Sequence, residues 1–195
     1  MPSVFTGFAA MPSPAAEEIR HRVAIAGAVV DATTRQSLDG AVVAIAGQNL
    51  STQTREDGSF YFLDLPVGST YTLNVSAPRL GSRYGSKTIE NVTVQSTADG
   101  RPQLDPKATV LLPPTQLVGQ VKRSGTPEVA IAGAIVQLRG STLQTTTDQT
   151  GRYTLSSLQA GTPTVQVTVK GGGAATRKIT LNAGQSTTAD FVITS

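Results

Sequence analysis

From Val23 onward, apolar and polar residues alternate in short runs separated by turn residues, the signature of half-buried β-strands. Residues 23–30 predict a first strand and residues 31–37 its turn. Residues 41–45 and 51–54 predict the next two strands, and Arg55-Glu56-Asp57-Gly58 a polar turn. In residues 60–63, Phe60 and Phe62 fall on one face and Tyr61 and Leu63 on the other, because side chains alternate along a strand. The phenylalanines are assigned to the core. After a turn at Leu65-Pro66-Val67-Gly68, Tyr71, Leu73 and Val75 mark a fifth strand. A loop follows at 78–85. Ile89, Val92 and Val94 mark a sixth strand, residues 98–106 a loop, and residues 108–112 a closing strand. Pro113-Pro114 cannot continue a ladder and is predicted to form a short, stiff linker.

The plan then repeats. Gly40, Gly47, Gly58, Phe60, Phe62, Leu65 and Gly68 are answered by Gly133, Gly140, Gly151, Tyr153, Leu155, Leu158 and Gly161, at a constant offset of 93 residues. Asp148 is read as the counterpart of Asp57, with the second turn lengthened by Gln149-Thr150. Later strands are predicted at 165–169, 178–181 and 189–193, with Gly171-Gly172-Gly173 replacing the longer loop. A repeat of domain size implies two modules rather than a solenoid. The expected architecture is all-β: an extended N-terminal arm (1–22) and two antiparallel β-sandwiches in tandem (23–114 and 115–195). The arm is punctuated by Pro2, Pro12 and Pro14, and Val4, Phe5 and Phe8 are its candidate anchors on a partner.

Composition narrows the chemistry. With no Cys, disulfides and thiolate metal sites are excluded. With no Trp and 5% aromatic residues, a strong base- or sugar-stacking platform is not expected. Residues 115–195 carry seven Lys/Arg against three Asp/Glu, whereas residues 23–114 carry seven against eight. The basic residues are scattered and lack interleaved aromatics, so they are read as solvated charge and no nucleic-acid partner is expected. The first 20 residues have no basic n-region or sustained apolar core, and no run is long enough to span a bilayer. The expectation is a cytoplasmic protein, or part of a particle assembled in the cytoplasm.

No catalytic, cofactor or metal site is expected. His21 is the lone histidine and lies on the arm, so neither a histidine metal cluster nor a triad with the abundant Ser and Thr is supported. Glu56 and Asp57 are adjacent, which would point their side chains apart on a strand. The Glu56-Asp57-Gly58 turn is read as a capped turn rather than a Ca²⁺ loop. Tyr61 and Tyr84 form a candidate pair for stacking on a sugar ring of a cell-surface glycan. Glu56 and Tyr61 occur only in the first copy, so both are candidates for a specific partner contact.

The motifs resemble the carboxypeptidase regulatory-like domain. Its pattern is carried by Gly27-Ala28-Val29, Gly40-Ala41-Val42-Val43, residues 54–60 and residues 65–71. It is carried again by Gly119-Gln120-Val121, Gly133-Ala134-Ile135-Val136, residues 147–153 and residues 158–161. The resemblance implies a transthyretin-like (prealbumin-like) or Ig-like sandwich in each half. Related adhesin repeats carry Lys–Asn isopeptide bonds. Neither first strand here has a lysine in the usual place, Lys122 being the nearest, so none is expected. Such modules serve many roles, and the fold alone does not choose among them. The expected function is a non-catalytic structural or protein–protein interaction protein. It would be a subunit or decoration of a larger assembly, such as a phage-tail-like contractile injection particle or a virion, with other protein subunits as partners. The alternatives are a carbohydrate- or cell-surface-binding adhesion module and a regulatory or folding domain for a partner enzyme.

Overall fold

The computed structural model describes residues 22–96, 102–103 and 105–194. The first unit opens with β1 (Val23–Asp31), β2 (Val42–Ile45) and β3 (Ser51–Gln53). It continues with β4 (Ser59–Leu63), β5 (Thr70–Ser76) and β6 (Lys87–Thr93). Two short strands, β7 (Gln95–Ser96) and β8 (Pro102–Gln103), precede β9 (Thr109–Leu112). The second unit holds β10 (Gln116–Arg123), β11 (Val129–Ala130), β12 (Ile135–Leu138) and β13 (Gln144–Thr146). It ends with β14 (Arg152–Leu155), β15 (Thr164–Thr168), β16 (Ala174–Lys178), β17 (Ser186–Thr188) and β18 (Phe191–Ile193).

Each unit is a sandwich of two sheets. In the first, β4-β1-β9 faces β3-β2-β5-β6. In the second, β10 is flanked by β14, β17, β18 and β11, and faces β13-β12-β15-β16. The pairing is antiparallel except where the first strand meets the last: β1 with β9, and β10 with β17 and β18, run parallel. Parallel neighbours need a long connection, and here nearly a whole module supplies it. The predicted alternation is what fills each core. Phe60 and Phe62 are buried while Leu63 is exposed. The two phenylalanine rings meet edge to face at 6.2 Å. Separate clusters form around Val29, Val43, Leu73 and Val110 in one unit, and around Leu117, Val136, Leu158 and Val167 in the other.

A buried threonine staples each unit in the same way. The Thr54 hydroxyl donates to the Leu38 carbonyl (2.5 Å) and accepts from the Ala41 N–H (2.8 Å). Thr147 does the same with Ile131 (2.6 Å) and Ala134 (2.9 Å). The turns that follow show that Asp148 is not the counterpart of Asp57. The Arg55 N–H bonds the Ser59 carbonyl and the Gly58 N–H the Arg55 carbonyl; in the second unit Asp148, Arg152 and Gly151 take these places. The turns therefore have equal length, and Thr150 stands where Asp57 does.

Three other expectations shift. The 78–85 loop contains a 3₁₀ segment, Pro78–Arg83. The strand expected at 178–181 lies earlier, at Ala174–Lys178, and shares only Lys178 with that range. Gly171, Gly172 and Gly173 all have positive φ and close a tight turn in which the Val169 N–H bonds the Gly173 carbonyl, so pairing with β15 starts at Ala174. The strand expected at 189–193 is shortened to β18, an unexpected strand, β17, precedes it, and Ala189 between the two donates to the Val118 carbonyl. Val4, Phe5, Phe8 and His21 lie outside the described residues. No helix among the described residues is long and apolar enough to cross a membrane.

Candidate interaction surfaces

The linker between the units is a built junction. Thr115 is the first residue after Pro113-Pro114 with an N–H to give, and it is fully buried. Its N–H donates to the Arg83 carbonyl and its hydroxyl to the Ser82 carbonyl, each at 2.7 Å. The same hydroxyl accepts from the Gly184 N–H at 2.7 Å, and the Thr115 carbonyl accepts from the Leu158 N–H at 3.0 Å. One residue thereby joins the 3₁₀ loop of the first unit to two loops of the second. Beside it, Gln159 Oε1 accepts from the Ser82 hydroxyl (2.8 Å) and N–H (3.1 Å), and the Ala160 N–H donates to Ser82 Oγ (2.9 Å). Gly85 and Gly184 pack so closely that a Cβ on Gly184 would lie 2.4 Å from the Gly85 Cα.

Tyr84 belongs to this junction. Its hydroxyl donates to Asp31 Oδ2 at 2.8 Å and lies 3.2 Å from Ser157 Oγ across the junction. Asp31, buried at the end of β1, also accepts the Thr33 and Thr34 N–H groups on Oδ1 at 2.6 and 2.8 Å. Burial raises the pKa of the Tyr84 phenol, which keeps it a donor through ordinary alkaline pH.

Tyr61 sits elsewhere. It is half-buried on the outward face of β4, opposite Ala26. The Arg55 guanidinium lies over its ring at 4.8 Å from the centroid and donates to its hydroxyl. Asp31, which holds Tyr84, is five residues along β1 from Ala26, roughly 16 Å at strand rise. The two tyrosines are therefore not brought together as a stacking pair, and one ring carries an arginine on its face. Glu56 is exposed in its turn, with no hydrogen bond or ion pair among the described residues.

The outer faces of the two first sheets carry equivalent hollows. Each lies over the glycine of the first strand, where a Cβ would strike the chain entering the last strand: Ala108 O at 2.2 Å from Gly27, and Ala189 O at 2.0 Å from Gly119. In the first unit the hollow is lined mostly by apolar groups, from Ala26, Ala28, Tyr61 and Pro106, with Ser59, Thr109 and Asp105 at its wall and a volume of about 520 Å³. In the second it is lined by Val118, Gln120, Arg152, Tyr153, Thr154 and Asp190, about 320 Å³. There Asp190 Oδ1 accepts the Gln120 N–H at 2.8 Å, and Gln120 Nε2 donates to the Thr150 carbonyl at 2.7 Å.

No group of three or more His, Cys, Asp or Glu among the described residues is placed to hold a metal. Lys122 pairs with Glu128 at 3.2 Å on the surface. Sequence reasoning missed the junction residues Ser82, Thr115 and Gln159, because nothing in a serine, threonine or glutamine announces a partner far along the chain. The available signal was Pro-Pro-Thr at a module boundary.

No curated protein matches the chain. Among solved structures it is similar to the Bacillus anthracis TIE protein, at 15% identity and a TM-score of 0.37 over 89% of this chain and 34% of that one. It is similar to a type II cohesin–X-dockerin complex from Acetivibrio cellulolyticus, at 24% identity and a TM-score of 0.30 over 41% of this chain and 52% of that one. It is similar also to the shaft pilin SpaA from Lactobacillus rhamnosus GG, at 13% identity and a TM-score of 0.38 over 90% and 97%. The chain thus spans about a third of the first of these chains and half of the second. The pattern of the carboxypeptidase regulatory-like domain matches it twice, over residues 24–105 and 116–194, the first match spanning the first sandwich up to the approach to β9 and the second nearly all of the second sandwich. The chain belongs to the carboxypeptidase regulatory-like domain family and carries two copies of that domain in tandem.

Proposed function

We propose that this is a non-catalytic structural protein, a subunit or decoration of a larger protein assembly, in which two sandwiches act as one bar. The observation that carries the reading is the junction: a buried threonine with its N–H, hydroxyl and carbonyl all engaged, beside a glycine pair in contact. A flexible tether needs none of this. A fixed angle between modules is useful when surfaces on both must meet partners at set positions. The proposal takes other protein subunits as partners and the arm anchors Val4, Phe5 and Phe8 as one contact. Its finer form places the protein in a particle assembled in the cytoplasm, such as a phage-tail-like contractile particle.

The test is isolation of the native protein with whatever it binds. A stoichiometric complex well above the mass of one chain is expected, and a monomer without a stoichiometric partner overturns the proposal. Gly184→Val sharpens it by forcing a side chain against Gly85. Small-angle scattering should show the bar bending while both units stay folded, and incorporation should fall. Deleting residues 1–20 should abolish incorporation without unfolding either sandwich.

A further inference from the structure

We infer that the hollow over Gly27 is the receptor for the apolar arm of a second copy of this chain, which deepens the assembly reading above and rests on it. Three observations converge. The hollow is apolar where its equivalent in the second unit is not. Ala26, Ala28, Tyr61 and Thr109 stand where Val118, Gln120, Thr154 and Asp190 stand, and Ser59 replaces Arg152. The one acid on its wall, Asp105, is already engaged by the Thr93 and Lys107 N–H groups. The fold requires the glycine in both copies; it does not require one hollow to stay greasy. At about 520 Å³, with Pro106 on its rim, it has room for an aromatic side chain.

The occupant is read from where the described chain begins. Twenty-one residues precede Arg22, and their two aromatic residues, Phe5 and Phe8, stand near the start beside Val4. Arg22 is tied to Asp64 by two hydrogen bonds, its N–H to Oδ1 at 2.9 Å and the Asp64 N–H to its carbonyl at 2.8 Å. That fixes the exit of the arm at the Val23 end of β1. The Asp31 end of β1 is at the junction with the second unit. The hollow lies inward from the exit, at residues 26–28. Traced back from Arg22, the line of β1 leads off the free pole and away from that hollow. Reaching its own hollow would require the arm to double back over the sheet. A copy lying beyond the free pole receives the arm without that reversal, and the apolar lining suits Phe5 or Phe8 as the anchor.

A photo-crosslinking residue at position 28 of the full chain tests this, with isotopically light and heavy copies mixed in equal amounts. Crosslinks between light position 28 and heavy residues 3–11, and the reverse, are expected. The double variant Phe5→Ala, Phe8→Ala should weaken self-association at least tenfold by sedimentation, with both units still protected in hydrogen exchange. Ala28→Glu should do the same from the receptor side. Crosslinks confined to single copies would overturn the inference in favour of self-docking, and crosslinks that never include the arm would overturn it outright. If the arm deletion abolishes incorporation while position 28 captures no arm, the assembly reading stands and this inference alone falls.

Discussion

The two units share a frame and differ in what they place on it. Both keep a glycine under an aromatic ring, Gly27 with Phe60 and Gly119 with Tyr153, and both staple the turn with a buried threonine. Their edges part company. In the first unit the outer edge of the second sheet, β6, is covered by its own chain: Asp105 accepts the Thr93 N–H at 3.0 Å, and Lys107 Nζ donates to the Asn91 carbonyl at 3.1 Å. In the second, β16 has no such cover among the described residues and relies on Arg177 and Lys178, charges of the kind that discourage strand addition. The hollows differ in the same spirit, apolar in one unit and polar in the other. Features common to both units are those the sandwich needs, so a feature present in one alone is where function is to be sought.

The largest test strikes the shared frame. Gly27→Val and Gly119→Val each drive a side chain into a backbone carbonyl about 2 Å from the new Cβ. Overpacking of this kind costs about 3 kcal/mol or more, since a strand rather than a side chain must yield. Each variant should lose hydrogen-exchange protection throughout its own unit. If the partner unit collapses equally, the units are one cooperative body and the comparison between them must be redrawn. The threonine staple comes next. Thr54→Val and Thr147→Val each strand a buried carbonyl and a buried N–H, at about 2 kcal/mol. Denaturant unfolding should give nearly equal losses. A twofold disparity would show that the copies lean on this bond differently.

Much of this was legible in the alternation. Strands two to five of the first unit lie within a residue or two of where the pattern puts them, because each has one buried face and glycine-bearing turns at its ends. The parallel pairings were not legible, since periodicity reports burial and not the direction of a neighbour. The equal length of the two polar turns was legible in the constant offset of 93 residues that runs through them, but the pairing of their aspartates obscured it. An aspartate occurs in each, and identity suggested an equivalence that the hydrogen bonds assign instead to Thr150 and Asp57. Of the site candidates, Tyr61 stands at the apolar hollow as an outward residue of β4, a position its alternation predicts. Tyr84 is marked by the sequence only as part of a loop; its role at the junction depends on Asp31 and Ser157, which are 53 and 73 residues away along the chain.

A smaller effect separates the aromatics. The Tyr153 hydroxyl donates to the Ala189 carbonyl at 2.5 Å, whereas Phe60 packs over Gly27 with no hydroxyl at all. Burial drives the Tyr153 phenol well above its ordinary pKa, so it donates through all accessible pH. Tyr153→Phe should cost about 1 kcal/mol, the usual worth of one hydrogen bond, and leave the strand in register. A neutral outcome would mean that the second unit, like the first, needs only the ring.

The smallest effect concerns the two turn aspartates, which are fully exposed. Asp148 accepts the Thr150 hydroxyl at 2.7 Å, the Thr150 N–H at 2.8 Å and the Arg152 N–H at 2.9 Å. These bonds, the Thr150 hydroxyl first, lower its pKa. Asp57 is lowered in the same direction, first by the Ser59 side chain and then by the Ser59 N–H, which it accepts at 2.9 Å. A carboxylate whose folded pKa is depressed stabilises above its unfolded value of about 3.9, and that contribution fades as pH falls through the folded value. Both turns should therefore hold at neutral pH and loosen only in acid. Carboxyl titration by NMR should place both midpoints below 3.9, and amide exchange at Thr150 and Arg152 should quicken as Asp148 protonates. Asp148→Asn should remove the acid dependence of the second turn and leave that of the first untouched. A change in both would mean that the two turns, although built on different residues, are coupled.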